Sequence, residues 1–257
     1  MRETQLEYGN WIRKRNLWIL GLCAAGTAIL SLMPFRRVFR LLAGILFAVT
    51  FISFLFPLYT YVMASQNGGR VQEKVYDLII RLLGSPIGGR LLDIGAGNGV
   101  LAVKLAQHNP ESEVLGIDLW GKDWEYSREV CDKNTQIGGV EDRVHFRKGN
   151  AAELEFADDT FDGVVSNLTF HEVRSVSDKR DVVDEALRVV KPGGRFAFVD
   201  YFFNAKLYGP AAEFEEYLRS LNLTHFEISP LSPELELPLL LRHPKILGQA
   251  GIVYGQK

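Results

Sequence analysis

Two aspartates stand where chemistry needs them. Asp93 lies inside Leu91-Leu-Asp-Ile-Gly-Ala-Gly-Asn-Gly99, and Asp118 lies in Gly116-Ile-Asp-Leu-Trp120, 25 residues later. Glycines let a backbone turn tightly and approach a ligand closely. The spacing differs from a dinucleotide fingerprint, because Val100 takes the place of that motif's third glycine. A carboxylate just before the loop would repel a pyrophosphate, so Asp93 suits a ligand with a positive amino group. Asp118, at the end of the next predicted strand, can accept hydrogen bonds from two ribose hydroxyls, and its alternative is a helix N-cap. Leu119 or Trp120 could then cover an adenine face. In Lys148-Gly-Asn-Ala-Ala152, Asn150 offers an amide carbonyl to an adenine amino group, and the Ala151 N–H a donor to a ring nitrogen. The segment Asp162-Gly-Val-Val-Ser-Asn-Leu-Thr-Phe-His-Glu172 reads as a buried strand ending in polar residues. His171 and Glu172 are its candidate catalytic bases, His171 for its ordinary pKa near neutrality; the competing reading is that His171 only lines or caps the pocket. Tyr201 is a weaker candidate. The two cysteines, Cys23 and Cys131, read as free thiols, and the five scattered histidines predict no metal site.

These residues need a frame. Strand patterns over 90–94, 114–117, 144–148, 161–166, 195–200, 225–228 and 251–254 alternate with helical patterns over 70–83, 100–107, 122–137, 178–190 and 208–221. Such alternation predicts an α/β fold, a mostly parallel sheet with helices on both faces and ligands at the carboxyl ends of its strands. Pro192-Gly-Gly194 reads as a turn. The aromatics Trp120, Trp124 and Tyr126 read as packing, and the proline-broken stretch 229–241 as a loop, either packed or exposed beside the site.

In this order, the four motifs resemble the class I S-adenosylmethionine-dependent methyltransferases, most closely the branch acting on small molecules, quinones and lipids. The resemblance covers roughly residues 70–257, and Pro192-Gly-Gly-Arg-Phe196 looks like that family's turn before the fifth strand. It implies a Rossmann-like sheet of seven strands with the last antiparallel. It also implies S-adenosylmethionine as cofactor. Asp93, Gly95 and Gly97 would meet its methionine part, Asp118 would hold the ribose, and Asn150 with Ala151 the adenine; Ala96, Asn98, Gly99 and Leu119 complete the cofactor-binding set. Asn167 would lie near the methionine amino group. Asn150 departs from the family, which usually has Asp there; an amide still accepts a hydrogen bond.

The whole-chain net charge of −2 conceals a split. Residues 1–67 carry seven Lys/Arg against two acids, a net of +5, and the remainder carries 22 against 29, a net of −7. This makes a general nucleic-acid binder a poor reading. Residues 16–33 and 41–64 contain no charge, and a bilayer core takes about 20 apolar residues in a helix. The two runs predict a transmembrane helical hairpin over 1–67, and Ser65-Gln-Asn-Gly-Gly69 a linker to a methyltransferase domain over 68–257. An interfacial, non-spanning hairpin is the rival. The catalytic domain is expected on the cytoplasmic side of a membrane, although Arg36, Arg37 and Arg40 would then face outward, against the positive-inside rule. The expected activity is methyl transfer to a lipophilic small molecule or lipid. The alternatives are a protein methyltransferase with a membrane-associated partner, for which no Asn/Asp-Pro-Pro-Tyr signature exists, and a non-catalytic cofactor-binding protein.

Overall fold

The computed structural model describes residues 5–121 and 125–257. The expected helical residues 122–124, Trp124 among them, lie outside these. Two compact units form: one is Gly9–Glu73, the other Lys74–Lys257 together with the chain's start up to Tyr8.

The first unit is a pair of helices, α1 (Lys14–Leu32) and α2 (Arg37–Ala64), joined by a turn containing Pro34. At 1.5 Å per residue they extend about 28 Å and about 42 Å. Both are long and apolar enough to cross a membrane. They pack on one another, and the Thr27 and Thr50 hydroxyls meet at 2.8 Å between them. Each hydroxyl also bonds to carbonyls of its own helix, so no polar side-chain atom of this pair is left without a partner. The outward faces are apolar: Trp18, Leu22 and Leu32 are 72%, 69% and 84% exposed. α2 begins four residues before the uncharged run, because Arg37-Val-Phe-Arg40 continues the helix. Pro57 is accommodated inside it.

The second unit takes up the chain within α3 (Val71–Leu83). Its elements are β1 (Gly89–Ile94), α4 (Val100–His108), β2 (Ser112–Asp118), α5 (Arg128–Gly138), β3 (Val144–Lys148), β4 (Phe161–Asn167), α6 (Arg180–Arg188), β5 (Val190–Asp200), α7 (Ala205–Tyr208), α8 (Ala211–Ser220), β6 (His225–Pro230), α9 (Leu231–Leu235) and β7 (Gly251–Gln256). The seven strands form one sheet in the order β3-β2-β1-β4-β5-β7-β6. β1 to β5 pair in parallel, while β7 runs antiparallel between β5 and β6. This is the Rossmann-like seven-stranded sheet expected from the motifs.

Central strands are covered on both faces and read as continuous apolar runs. Leu91, Leu92 and Ile94 on β1, and Val164 and Val165 on β4, are all without exposure. Phe161, Phe170, Phe196, Phe198, Phe202 and Phe214 fill the core around β4 and β5. Three of the departures from the sequence expectation have a local cause. α5 starts only at Arg128, where Ser127 caps it by accepting from Val130 N at 3.3 Å. The expected helix over 208–221 splits at Gly209-Pro210, because Gly209 has φ +83° and Pro210 has no N–H to donate. Pro192-Gly-Gly194 sits within β5 as a bulge: pairing jumps from Phe161↔Val190 to Gly163↔Arg195.

Candidate active site

The parallel strands place their last residues in one row. β1 ends in the glycine loop, where Gly95 N and Ala96 N both donate to Ile117 O, at 2.8 and 2.9 Å. Gly95 has φ +81°, and a Cβ there would collide with the Thr169 side chain. Gly99, at φ +75°, turns the chain into α4 against the Phe146 ring, again with no room for a Cβ. Asp93 is 1% exposed, and its Oδ2 has no hydrogen-bond partner among the described residues. Burial, and after it the Asp118 charge, push the Asp93 carboxyl up to about 7. On β4, one strand away, Asn167 Oδ1 is likewise buried and unpartnered. Buried acceptors are almost always satisfied, so two orphans at neighbouring strand ends call for a donor from outside the chain.

Asp118 closes β2. Its Oδ2 accepts from Gly97 N at 2.9 Å and its Oδ1 from Trp120 N at 2.8 Å. Burial raises its pKa, with the backbone bonds pulling the other way. Trp120, in the left-handed region at φ +42°, lays its indole N–H on Gly97 O at 2.8 Å. Leu119 instead is 54% exposed. Cys131 also donates to Gly97 O, at 3.2 Å, and burial pushes its thiol up, so it stays protonated. Beyond β3, Gly149 N donates to Asp118 O at 3.0 Å, which brings Asn150 and Ala151 beside Asp118. Asn150 Oδ1 accepts from Ala152 N at 3.1 Å.

Asn98 is fixed differently from its loop neighbours. Its amide spans Glu7 O at 3.2 Å and Ser127 N at 3.3 Å. The fully buried Asn134 joins Glu7 N at 2.8 Å, Glu7 O at 3.0 Å and Asn98 O at 2.8 Å. Lys133 pairs with the Glu7 carboxylate, and Tyr8 stacks on Tyr76 at 5.7 Å. The chain's start is thus a strap across the glycine loop and α5. Nothing in the sequence signalled it, since Glu7 lies more than 90 positions from Asn98 and Asn134, and Tyr8 is likewise remote from Tyr76.

On the other side of β1 a second cluster forms where β4 and β5 end. Asp200, without any exposure, accepts from His171 N at 3.2 Å, from Tyr201 N at 2.6 Å and from His171 Nδ1 at 2.9 Å. A carboxylate only accepts, so Nδ1 carries the proton and Nε2 is left as the basic nitrogen. Nε2 lies 3.6 Å from Glu172 Oε1. Burial alone would lower the imidazole pKa, but the Asp200 charge and hydrogen bond, with Glu172, raise it above its usual value. Tyr201 packs edge-on against His171 at 4.7 Å; burial and the Asp200 charge push its phenol up to about 12, which removes it as a base near neutral pH. Asp200 is the residue that sequence reasoning passed over. Its signal was a charged residue closing the fully apolar strand segment 196–199.

Residues 92–198 match the family described as "Methyltransferase domain". A 27-O-demethylrifamycin SV methyltransferase of Amycolatopsis mediterranei is 35% identical over 128 residues, half of this chain and 44% of that one. An O-methyltransferase of Aspergillus nomiae is 30% identical over 161 residues, 62% of this chain and 64% of that one. A ubiquinone/menaquinone biosynthesis C-methyltransferase of Geotalea daltonii is 31% identical over 114 residues, 44% of this chain and 46% of that one. This chain therefore spans 44–64% of these relatives' length. Among solved structures, a geranyl diphosphate C-methyltransferase of Streptomyces coelicolor superposes with a TM-score of 0.56, covering 77% of this chain and 83% of that one at 18% identity. That likeness concerns the fold. The motifs, the strand order and the match over 92–198 agree in placing a methyltransferase domain within the sheet unit.

Proposed function

We propose that this chain is a membrane-tethered methyltransferase, moving the methyl group of S-adenosylmethionine to a lipophilic small molecule that must lose a proton as it is methylated. The observation that carries this is the His171–Asp200 pair where β4 and β5 end, on the same side of the sheet's strand order as the orphaned acceptor of β4 and next to that of β1.

The residues present fit the cofactor. Its ammonium would supply the donors that Asp93 Oδ2 and Asn167 Oδ1 lack. Gly95, Ala96 and Gly97 present little side chain, so the methionine part would approach their backbone, and Asp118 retains acceptor capacity for ribose hydroxyls. Asn150 and Ala151 stand next to Asp118 for the adenine, with Trp120 against the loop. Asn98 and Gly99 shape the loop from behind. When bound, S-adenosylmethionine supplies an electrophilic methyl on a positively charged sulfur. The chain's own work is then alignment, which is worth most in such a displacement, and removal of the acceptor's proton. His171 Nε2 takes that proton from the acceptor hydroxyl or acidic carbon, while Asp200 holds the ring and stabilises the imidazolium. Glu172, at 3.6 Å, adds a second negative charge in favour of that cation.

The tether reading is supported by α1 and α2, which are long and apolar enough to cross a membrane and leave their apolar faces exposed. A hairpin in the bilayer favours acceptors that partition there, such as quinones, isoprenoids, phenols or lipids. The cytoplasmic side is the expected one for the domain. The relatives named for quinone and rifamycin methylation support a small-molecule acceptor. The test incubates the detergent-solubilised full chain with methyl-labelled S-adenosylmethionine and a lipid extract. Label in the organic phase is the expected result; label on polypeptide, or none transferred, would overturn the proposal.

A further inference from the structure

Among the described residues of the sheet unit, the large apolar side chains left exposed are Leu119, Leu239 and Leu240. All three stand beyond carboxyl ends of strands. Leu119 directly follows β2. Leu239 and Leu240 lie in the connection from β6 to β7, which leaves at Pro230 and returns at Gly251, level with Asp200 on β5. The exposed apolar side chains are therefore on the end of the sheet that holds His171, Asp93 and Asp118.

The β6–β7 connection is built rather than loose. Leu237, Leu241 and Leu247 turn inward and are 1%, 1% and 3% exposed, while Leu239 is 81% exposed. Leu241 N donates to Pro238 O at 2.9 Å, Gly248 N to His243 O at 3.1 Å, and Arg242 Nε to Leu237 O at 2.6 Å. Folding thus holds two leucines outward on a braced tip. Residues 237–250 include Arg242 and Lys245, both exposed, and no Asp or Glu. Glu234 and Glu236 precede them, and Glu234 sits 3.8 Å from Arg81.

A convex pair of leucines is far smaller than the roughly 800 Å² per partner of a stable protein interface. Two leucines beside a cationic collar match the headgroup–acyl boundary of an anionic bilayer, where apolar side chains enter and Lys/Arg meet phosphates. The same chain carries two helices long and apolar enough to cross a membrane. We infer that the β6–β7 tip is a second membrane contact: Leu239 and Leu240 enter the bilayer interface, and Arg242 and Lys245 bind its anionic headgroups. The strand ends that hold His171, Asp93 and Asp118 are then on the side of the sheet nearest the lipid surface. This deepens the membrane-tethered reading, and its failure would leave methyl transfer untouched.

The test uses the full chain with Cys23→Ala, reconstituted in vesicles of phosphatidylcholine alone or mixed with phosphatidylglycerol. An environment-sensitive fluorophore is attached at Leu240→Cys or, as a control at the amino end of the sheet, at Ser220→Cys; the buried Cys131 is shielded. In anionic vesicles the label at 240 is expected to shift to the blue and to be quenched by spin-labelled lipid. The label at 220 should show neither change. Arg242→Glu with Lys245→Glu should abolish the quenching at 240 while calorimetric S-adenosylmethionine binding persists. Equal behaviour at 240 and 220 would overturn the inference, and equal quenching in both lipid mixtures would overturn the headgroup part. Loss of cofactor binding in the unlabelled parent would count against the methyltransferase reading itself.

Discussion

At Asp93, function and stability oppose each other. Its carboxyl is pushed up to about 7 in the ligand-free fold, against an unfolded value of 3.8. Between those values the folded chain holds a proton that the unfolded chain has released, so this group's effect on stability worsens as pH rises through that window and stays unfavourable above it. Asp93→Asn removes the penalty. Thermal unfolding above pH 7 should show the ligand-free variant more stable by about 1–2 kcal/mol, while its affinity for S-adenosylmethionine drops about 100-fold or more through loss of a buried charged partner. His171 works with the opposite sign. Its raised pKa favours imidazolium, and a base must be neutral, so the methyl-transfer rate should rise with pH through an inflection above the ordinary 6.5. Asp200→Asn should move that inflection downward and cost at least about tenfold in rate at its plateau, whereas His171→Ala should cost about 10²–10⁴-fold at every pH. An inflection unmoved by Asp200→Asn would mean that Asp200 does not act through the imidazole.

Among the elements, those specified by local pattern were legible, and those assembled from distant residues were not. The glycine loop, β1, β2 and β4 could be read because buried parallel strands are apolar throughout and the loop's glycines follow directly. Asp93, Asp118, Asn167 and His171 were found by the same logic, as polar residues where such strands stop. The late start of α5 depends on the cap at Ser127, and the α7–α8 break on Gly209-Pro210, both local cues that helical periodicity outweighed. The strap of Glu7 and Tyr8 could not be read, because its partners Asn98, Asn134 and Tyr76 are remote in sequence and carry no period. Its contribution is measurable. Asn134→Ala removes buried bonds to Glu7 and Asn98, and should lower stability by about 1–3 kcal/mol in chemical unfolding. It should also weaken cofactor binding, because the Gly95–Gly99 loop loses its brace. A variant with wild-type stability and affinity would show that the strap is incidental.

For the whole molecule, the opposed charges of the two sequence regions correspond to two kinds of structure. The uncharged runs became α1 and α2 with apolar faces outward, and the acidic remainder became the seven-stranded sheet. Their extent was legible because an uncharged run fills most of each helix; depth and orientation in a membrane were not, because basic residues stand at both ends of α1. Membranes containing the full chain, washed with alkaline carbonate, should retain it in the pellet, and release into the supernatant would contradict a spanning hairpin. The site itself is tested most directly by calorimetric titration of S-adenosylmethionine into the detergent-solubilised full chain, with Asp93→Asn alongside. Binding that tightens as pH rises through about 7, where Asp93 ionises, and that is lost in Asp93→Asn is the predicted result. Equal binding by both proteins, or none by the parent, would contradict cofactor capture at the end of β1.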